Sequence, residues 1–171
     1  MRAEVLKQKE HTMDLRITDL SVEALKGIGW MLTPNPWVSP NPGEDYAYSD
    51  TNSDIGLEAP CSSGVIECAP RPKRLNRMER HLRTREVLVA LGGEAIVCAA
   101  PPQESVDGGL SGIMAFRVRP GQAFIMERGA WHWIPFPVGE SPTRFLVIFR
   151  SGTGKDDLHY QDLPRALPVR E

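Results

Sequence analysis

Residues 86–100 read EVLVALGGEAIVCAA. The runs Glu86–Leu91 and Ala95–Ala100 are rich in Val, Leu, Ile and Ala, and Gly92-Gly93 parts them. Short apolar runs of about 4–8 residues bounded by glycine read as strands, and the Gly-Gly pair reads as a hairpin turn that needs positive φ. The same pattern recurs on either side, at Gly64–Ala69, Ile113–Val118, Gln122–Met126 and Thr143–Arg150. Arg119-Pro120-Gly121 punctuates it as a turn with Pro at its second position. Pro101–Gly112, broken by Pro101-Pro102 and Gly108-Gly109, reads as a surface loop. Short strands at such spacing imply an all-β sandwich or barrel.

The ends of the chain read differently. Met1–Met13 is polar and without an apolar period, and reads as a loose extension. In Ile17–Gly29, Ser21 is a candidate N-cap, Leu20 and Leu25 are candidates for burial, and Gly27 or Gly29 is a stop, which predicts one short helix. Trp30–Leu32 then reads as extended. Pro34–Pro42 holds four prolines and cannot donate a regular ladder, so it reads as a loop or arm with Trp37 as its anchor. SGTGKDD after Arg150 reads as a turn, and Pro164–Glu171 as a poorly packed tail.

A chain of 171 residues hides roughly 70% of its unfolded surface, so one domain with a sizeable core needs no staples. Lys and Arg number 20 against 22 Asp and Glu, which excludes a strongly basic nucleic-acid footprint. Cys61, Cys68 and Cys98 are odd in number and form no CxxC pair, so a reducing cytoplasm is the expected compartment. The opening MRAEVLKQKEHTMDL lacks the apolar stretch of a secretory signal. No apolar cluster approaches the ~20 residues of a membrane span, and a soluble protein without a membrane partner is expected.

The residues that carry chemistry are Glu79-Arg80-His81, Glu86 and His132. Alternation along a strand places Glu79 and His81 on one face and Arg80 on the other. Arg80 therefore reads as a structural ion pair or subunit contact, outside the catalytic set. An isolated Glu-x-His is commonly a half-exposed surface pair. Here it is followed in order by Glu86, Gly93, Gly129 and Trp131-His132. Glu127 is a candidate acid or base, and Trp131, Trp133 and Phe136 are candidates for the pocket mouth. Arg71, Lys73, Arg74 and Arg77 read as a solvated basic face able to steer an anion.

This spacing resembles the two motifs of the cupins, with Glu79 where the first metal-binding His usually stands and Glu127 in place of a proline. The strings MERHLRTREVLVALGGEAIVCAAPP (Met78–Pro102), FRVRPGQAFIMERGAWHWIPFPVG (Phe116–Gly139) and RFLVIFRSGTGKDD (Arg144–Asp157) resemble the ureidoglycolate lyase family within that superfamily. The chain departs from that family at Met126-Glu127, where a Tyr-His pair is common, and at Trp133, where a second His often stands. Glu86 replaces a frequent Gln. The resemblance implies an all-β, cupin-type small β-barrel, a double-stranded β-helix or jelly roll, with a short N-terminal helix. It further implies one domain over residues 18–163, flanked by a polar extension (1–17) and a tail (164–171).

The resemblance also implies the activity: cleavage of ureidoglycolate, or a related ureido acid, to glyoxylate and urea in purine and allantoin catabolism. The expected cofactor is a divalent metal, Zn, Mn, Ni or Fe, held by His81, His132 and one or both of Glu86 and Glu79, the carboxylate that is not a ligand being the base, because imidazole and carboxylate suit such ions. No nucleotide cofactor is expected. Glu79, His81 and His132 form the catalytic set, with Glu79 the candidate base, and Glu86, Glu127 and Trp131 the substrate pocket. The expected partners are a small ureido or hydroxy acid and a second copy in a homodimer, with the Pro34–Pro42 arm as contact. The alternatives are another metal-dependent cupin enzyme (dioxygenase, isomerase or decarboxylase) and a non-catalytic small-acid-binding cupin.

Overall fold

The apolar runs become strands in the computed structural model, which describes residues 14–33, 54–103 and 112–171. The elements are β1 (Leu15–Asp19), β2 (Gly29–Met31), β3 (Cys61–Cys68), β4 (Arg74–Arg80), β5 (Glu86–Gly92) and β6 (Ala95–Ala100). They continue with β7 (Met114–Val118), β8 (Ala123–Met126), β9 (Trp131–His132), β10 (Phe136–Pro137), β11 (Thr143–Arg150), α1 (Thr153–Asp156) and β12 (His159–Arg170).

One sheet runs β10-β6-β7-β1-β12-β4-β9, and β9 also pairs with β6, so the sheet closes on itself. The closing strand is Trp131–His132 alone: His132 faces Glu79 of β4 on one side and Ala99 of β6 on the other. The second sheet runs β2-β8-β5-β11-β3. The expected all-β small barrel is thus the observed architecture. Phe116, Phe124 and Phe145 fill one core with Leu88 and Val97, while Leu75, Met78, Ile96, Trp131 and Phe136 fill a second. Burying each such side chain stabilises the fold by roughly 1.5–3 kcal/mol.

Gly93 has φ 75°, as its turn requires, and a Cβ there would stand 2.7 Å from Thr143 Cγ2. The expected hairpin is nevertheless a corner: β5 pairs with β8 and β11, β6 with β7, β9 and β10. Gly121, φ 84°, likewise carries the chain from one sheet to the other. A tight glycine turn serves both geometries, so local sequence does not separate them.

The expected N-terminal helix is instead a series of turns over residues 22–28. Ser21 Oγ does cap it, accepting the N–H of Ala24 at 3.1 Å, and Leu20, Leu25 and Ile28 are buried. Gly27, φ 80°, interrupts the helical hydrogen-bond series before it can propagate. The sole described helix is the four-residue α1.

Both ends also depart from expectation. β1 begins at Leu15, inside the anticipated extension, and β12 occupies most of the anticipated tail, the two pairing in parallel with Leu15 opposite Val169. Leu163, Leu167 and Val169 are buried. Pro164 hid this strand; it sits where the β12–β4 register shifts between Asp162 and Leu167, one of the few places a sheet tolerates proline. Met1–Met13, the Pro34–Pro42 arm with Trp37, and Gly108-Gly109 lie outside the described residues. The basic cluster is only partly a solvated face. Arg71 donates to the Ile134 and Pro135 carbonyls (2.6 and 2.9 Å) and lies over the Phe136 ring, and Lys73 donates to Val138 O at 3.0 Å.

Candidate metal and active site

Three short strands and one turn assemble the site. β4 carries Glu79, and His81 follows that strand directly, so the two side chains share a face as alternation requires. Glu86 opens β5 on the same inward face as Leu88 and Ala90. His132 comes from β9, the strand that closes the barrel. The closure of the sheet and the assembly of the site are therefore one event.

His81 Nε2 stands 3.2 Å from Glu86 Oε2, and His132 Nε2 stands 3.0 Å from the same oxygen. Glu79 Oε1 lies 3.8 Å from His132 Nε2. The imidazole centroids are 5.1 Å apart. Each ring's Nδ1 faces a backbone carbonyl, Asp157 O at 2.9 Å for His81 and Ala130 O at 3.0 Å for His132. A carbonyl only accepts, so each Nδ1 carries the proton and each Nε2 faces inward.

Both imidazoles and Glu86 are buried. Burial pulls the His81 pKa down, but Glu86, the Asp157 carbonyl and Glu79 outweigh it and raise the value to about 9. Burial likewise pushes Glu86 up, and the two imidazoles overcome it, holding the carboxyl down to about 2. His132 Nε2 and Glu86 Oε2 are both buried and make no hydrogen bond in spite of their approach. Atoms with lone pairs converging in this way define a point that suits a cation.

The donor set fits a divalent metal. Two ligands bound about 2.1 Å from an ion at right angles stand about 3 Å apart, which matches the spacing of Glu86 to each imidazole. Donor atoms of Glu79, His81 and His132 also lie within 4.8 Å of one another. Both Nδ1 groups are already tied to carbonyls, the outer support that orients ligating histidines.

The donors open onto a cavity of about 250 Å³, walled by Val65, Ile66, Val147, Phe149 and Leu158 with Glu79, His81 and Glu86. A smaller space of about 30 Å³ lies behind them against Met126, His132 and Trp133. Among the described residues neither wall includes a lysine or arginine. An anionic ligand beside Glu79 and Glu86 thus depends on His81 or a bound cation for its positive charge.

Four of the six expected site residues meet here: Glu79, His81, Glu86 and His132. Glu127 does not. It forms a two-pronged ion pair with Arg85 at 2.9 and 3.2 Å and lines neither space. Trp131 is 2% exposed in the second core, its Nε1–H donating to Gln103 O at 3.1 Å, so it packs the barrel and is not at the pocket mouth. Trp133, two positions on from Trp131 and just past the end of β9, lines the inner space together with His132 instead. Arg80 points away as alternation predicts, lying over Trp131 and donating to Gln103 O.

Two contributors escape a sequence reading. Tyr160 lies opposite Glu79 in the β4–β12 ladder, its phenol beside that carboxylate. Burial and the Glu79 charge raise the Tyr160 pKa, which keeps the phenol a donor. Asp157 supplies the carbonyl that holds His81. Asp157 ends the string Arg144–Asp157 and Tyr160 lies three residues on, far in sequence from Glu79 and His81, and only the fold brings them there.

A search of curated proteins returned no match. Among solved structures, the oxalate decarboxylase of Lactobacillus farciminis in complex with formate is similar, with 21% identity and TM-score 0.40, over 52% of this chain and 23% of that one. A Bacillus subtilis oxalate decarboxylase, studied for its Mn(II) centres, shows 24% identity and TM-score 0.40, over 60% of this chain and 23% of that one. The chain thus spans about a quarter of the length of these proteins. A protein-family model described as Ureidoglycolate lyase matches residues 13–169.

Proposed function

The chain belongs to the ureidoglycolate lyase family, and from that premise we propose that it cleaves ureidoglycolate, or a closely related ureido acid, to glyoxylate and urea in purine and allantoin nitrogen recovery. His81, His132 and Glu86 would hold a divalent metal, Zn, Mn, Ni or Fe. When bound, that ion supplies Lewis-acid polarisation of the substrate hydroxyl and positive charge for its carboxylate.

The chain's own groups do the proton work. Glu79, at the cavity wall and outside the tight His–Glu86–His contact, is the base that takes the hydroxyl proton. As it does so, the O–H electron pair becomes the C=O bond of glyoxylate, and the C–N pair leaves with the ureido nitrogen. Glu79 then returns the proton to that nitrogen, which completes urea. The apolar wall of Ile66, Val147 and Phe149 excludes water from the breaking bond.

The observation that supports this reading most directly is the convergence of two imidazole Nε2 atoms on one oxygen of Glu86, which lines both the cavity and the smaller space behind it. The test is urea and glyoxylate release from racemic ureidoglycolate, with added Mn, Zn, Ni or none, for the native chain, His81→Ala and His132→Ala. Release above the spontaneous rate by the native chain alone supports the lyase. No release in spite of stoichiometric bound metal rejects it in favour of another metal-dependent cupin reaction.

A cytoplasmic homodimer completes the proposal. Among the described residues β3 is an edge strand paired on one side only, by β11, which supports association. A monomer in light scattering at micromolar concentration rejects the dimer. No helix among the described residues is long and apolar enough to cross a membrane.

A further inference from the structure

Asp157 directly follows α1 and is 0% exposed. Its backbone carbonyl accepts from His81 Nδ1 at 2.9 Å. Its side chain accepts the next two backbone N–H groups, Leu82 on Oδ1 and Arg83 on Oδ2, each at 2.9 Å. One residue thus holds His81 from two directions: the ring through its main chain, and the peptide groups after the ring through its carboxylate. Oδ1 also lies 3.3 Å from His159 Nε2 in β12. The Asp157 N–H donates to Thr153 O at 3.0 Å, which closes α1.

The same segment forms part of the cavity. Thr153, Gly154 and Leu158 line it beside His81. The wall of the cavity and its imidazole are therefore fastened at a single buried side chain, although 76 positions separate the two in sequence.

We propose that Asp157 is the positioning residue of the site, fixing the His81 ring with Nε2 toward Glu86 and locking the α1 segment to that ring. The proposal rests on the reading of His81 as a metal ligand. Here the two amides go to different oxygens, Leu82 N–H to Oδ1 and Arg83 N–H to Oδ2, a pairing that a carboxamide, with an NH2 in place of one oxygen, does not reproduce. Loss of the clamp removes the acceptors of the Leu82 and Arg83 N–H groups and frees the 82–83 peptides to shift, carrying the ring with them. Groups that orient a ligating histidine typically change metal affinity by roughly 10–100-fold when removed.

The experiment compares wild type, Asp157→Asn and Asp157→Ala, with His159→Ala as a control that leaves the clamp in place. The first readout is the His81 Nδ1–H resonance of the metal-free protein, identified by ¹⁵N labelling, and its exchange with solvent. The second is Zn²⁺ affinity by chelator competition, below the melting temperature of each variant. The expected result is a slowly exchanging resonance in wild type and His159→Ala, at least about tenfold faster exchange in Asp157→Ala, and Zn²⁺ affinity lowered roughly 10–100-fold. Asp157→Asn, which keeps shape and one acceptor, falls between. If Asp157→Ala does not fold, Asp157→Asn decides alone. Variants that only melt earlier, with the resonance and Zn²⁺ affinity within about twofold of wild type, overturn the proposal. Neither readout uses ureidoglycolate, so a failed lyase assay and a failed clamp are distinguished.

Discussion

His132 Nε2 and Glu86 Oε2 stand 3.0 Å apart, both buried and without a hydrogen bond between them, while His132 Nδ1 is tied to Ala130 O. The pairing arises because β9, two residues long, is inserted between β4 and β6 as the last link in the closed sheet. A strand that short has no capacity to shift register without opening the barrel. The imidazole is accordingly held against Glu86 by the architecture as a whole.

The two glutamates separate by role. Glu86→Gln removes an anionic donor from the tightest contact and lowers Zn²⁺ or Mn²⁺ affinity by more than about 100-fold. Glu79→Gln leaves metal affinity within a few fold and lowers kcat by roughly 10²–10⁴. Metal titration combined with the urea-release assay checks both; equal loss of metal in the two variants contradicts the assignment.

Metal-free protein has a stability optimum set by His81 and Glu86. The folded His81 value of about 9 exceeds its ordinary 6.5, so its contribution is complete below pH 6.5 and disappears as pH rises to about 9. Glu86 lies at about 2 against 4.5, so its contribution is complete above pH 4.5 and disappears as pH falls to about 2. Between pH 4.5 and 6.5 both are present. Thermal midpoints of chelator-treated protein should peak there, and Glu86→Gln should flatten the profile; an unchanged profile refutes the pairing.

Metal binding should release protons. With His81 at about 9 in the metal-free protein, its Nε2 is protonated at neutral pH and must lose that proton to become a ligand, so about one proton leaves per ion. Calorimetric titration in buffers of different ionisation enthalpy measures the number. A value near zero means that His81 is not a ligand.

Gly29 is required for packing. A Cβ there would overlap the Ile125 carbonyl oxygen where β2 pairs with β8, Gly29 opposite Met126. Gly29→Ala should destabilise the fold by about 1–3 kcal/mol, read as a lower denaturant midpoint with unchanged metal stoichiometry. Stability equal to wild type would show that the strands part without cost.

The strands most legible in the sequence were those with continuous apolar runs, such as β5, β6 and β11, because a run of Val, Leu, Ile, Ala and Phe is a local composition signal. β12 was not legible. Its buried residues Leu163, Leu167 and Val169 are spread among prolines and charges, and its strand state follows from the partners β1 and β4. The Ile17–Gly29 segment carried a true cap at Ser21 and true core residues, yet a single left-handed Gly27 turned the expected helix into turns.

By itself the sequence determined the all-β class, the shared face of Glu79 and His81, and the ordered set Glu79, His81, Glu86 and His132, since strand alternation and apolar composition are local properties of the chain. Tertiary structure alone decided that Gly92-Gly93 is a corner between sheets, that Glu127 turns to Arg85, that Trp131 is core, that Tyr160 stands opposite Glu79 and that Asp157 holds His81. Those outcomes depend on which strands become neighbours. That choice is made by closing the sheet and burying its two faces together, and it leaves no mark in the spacing of any one segment.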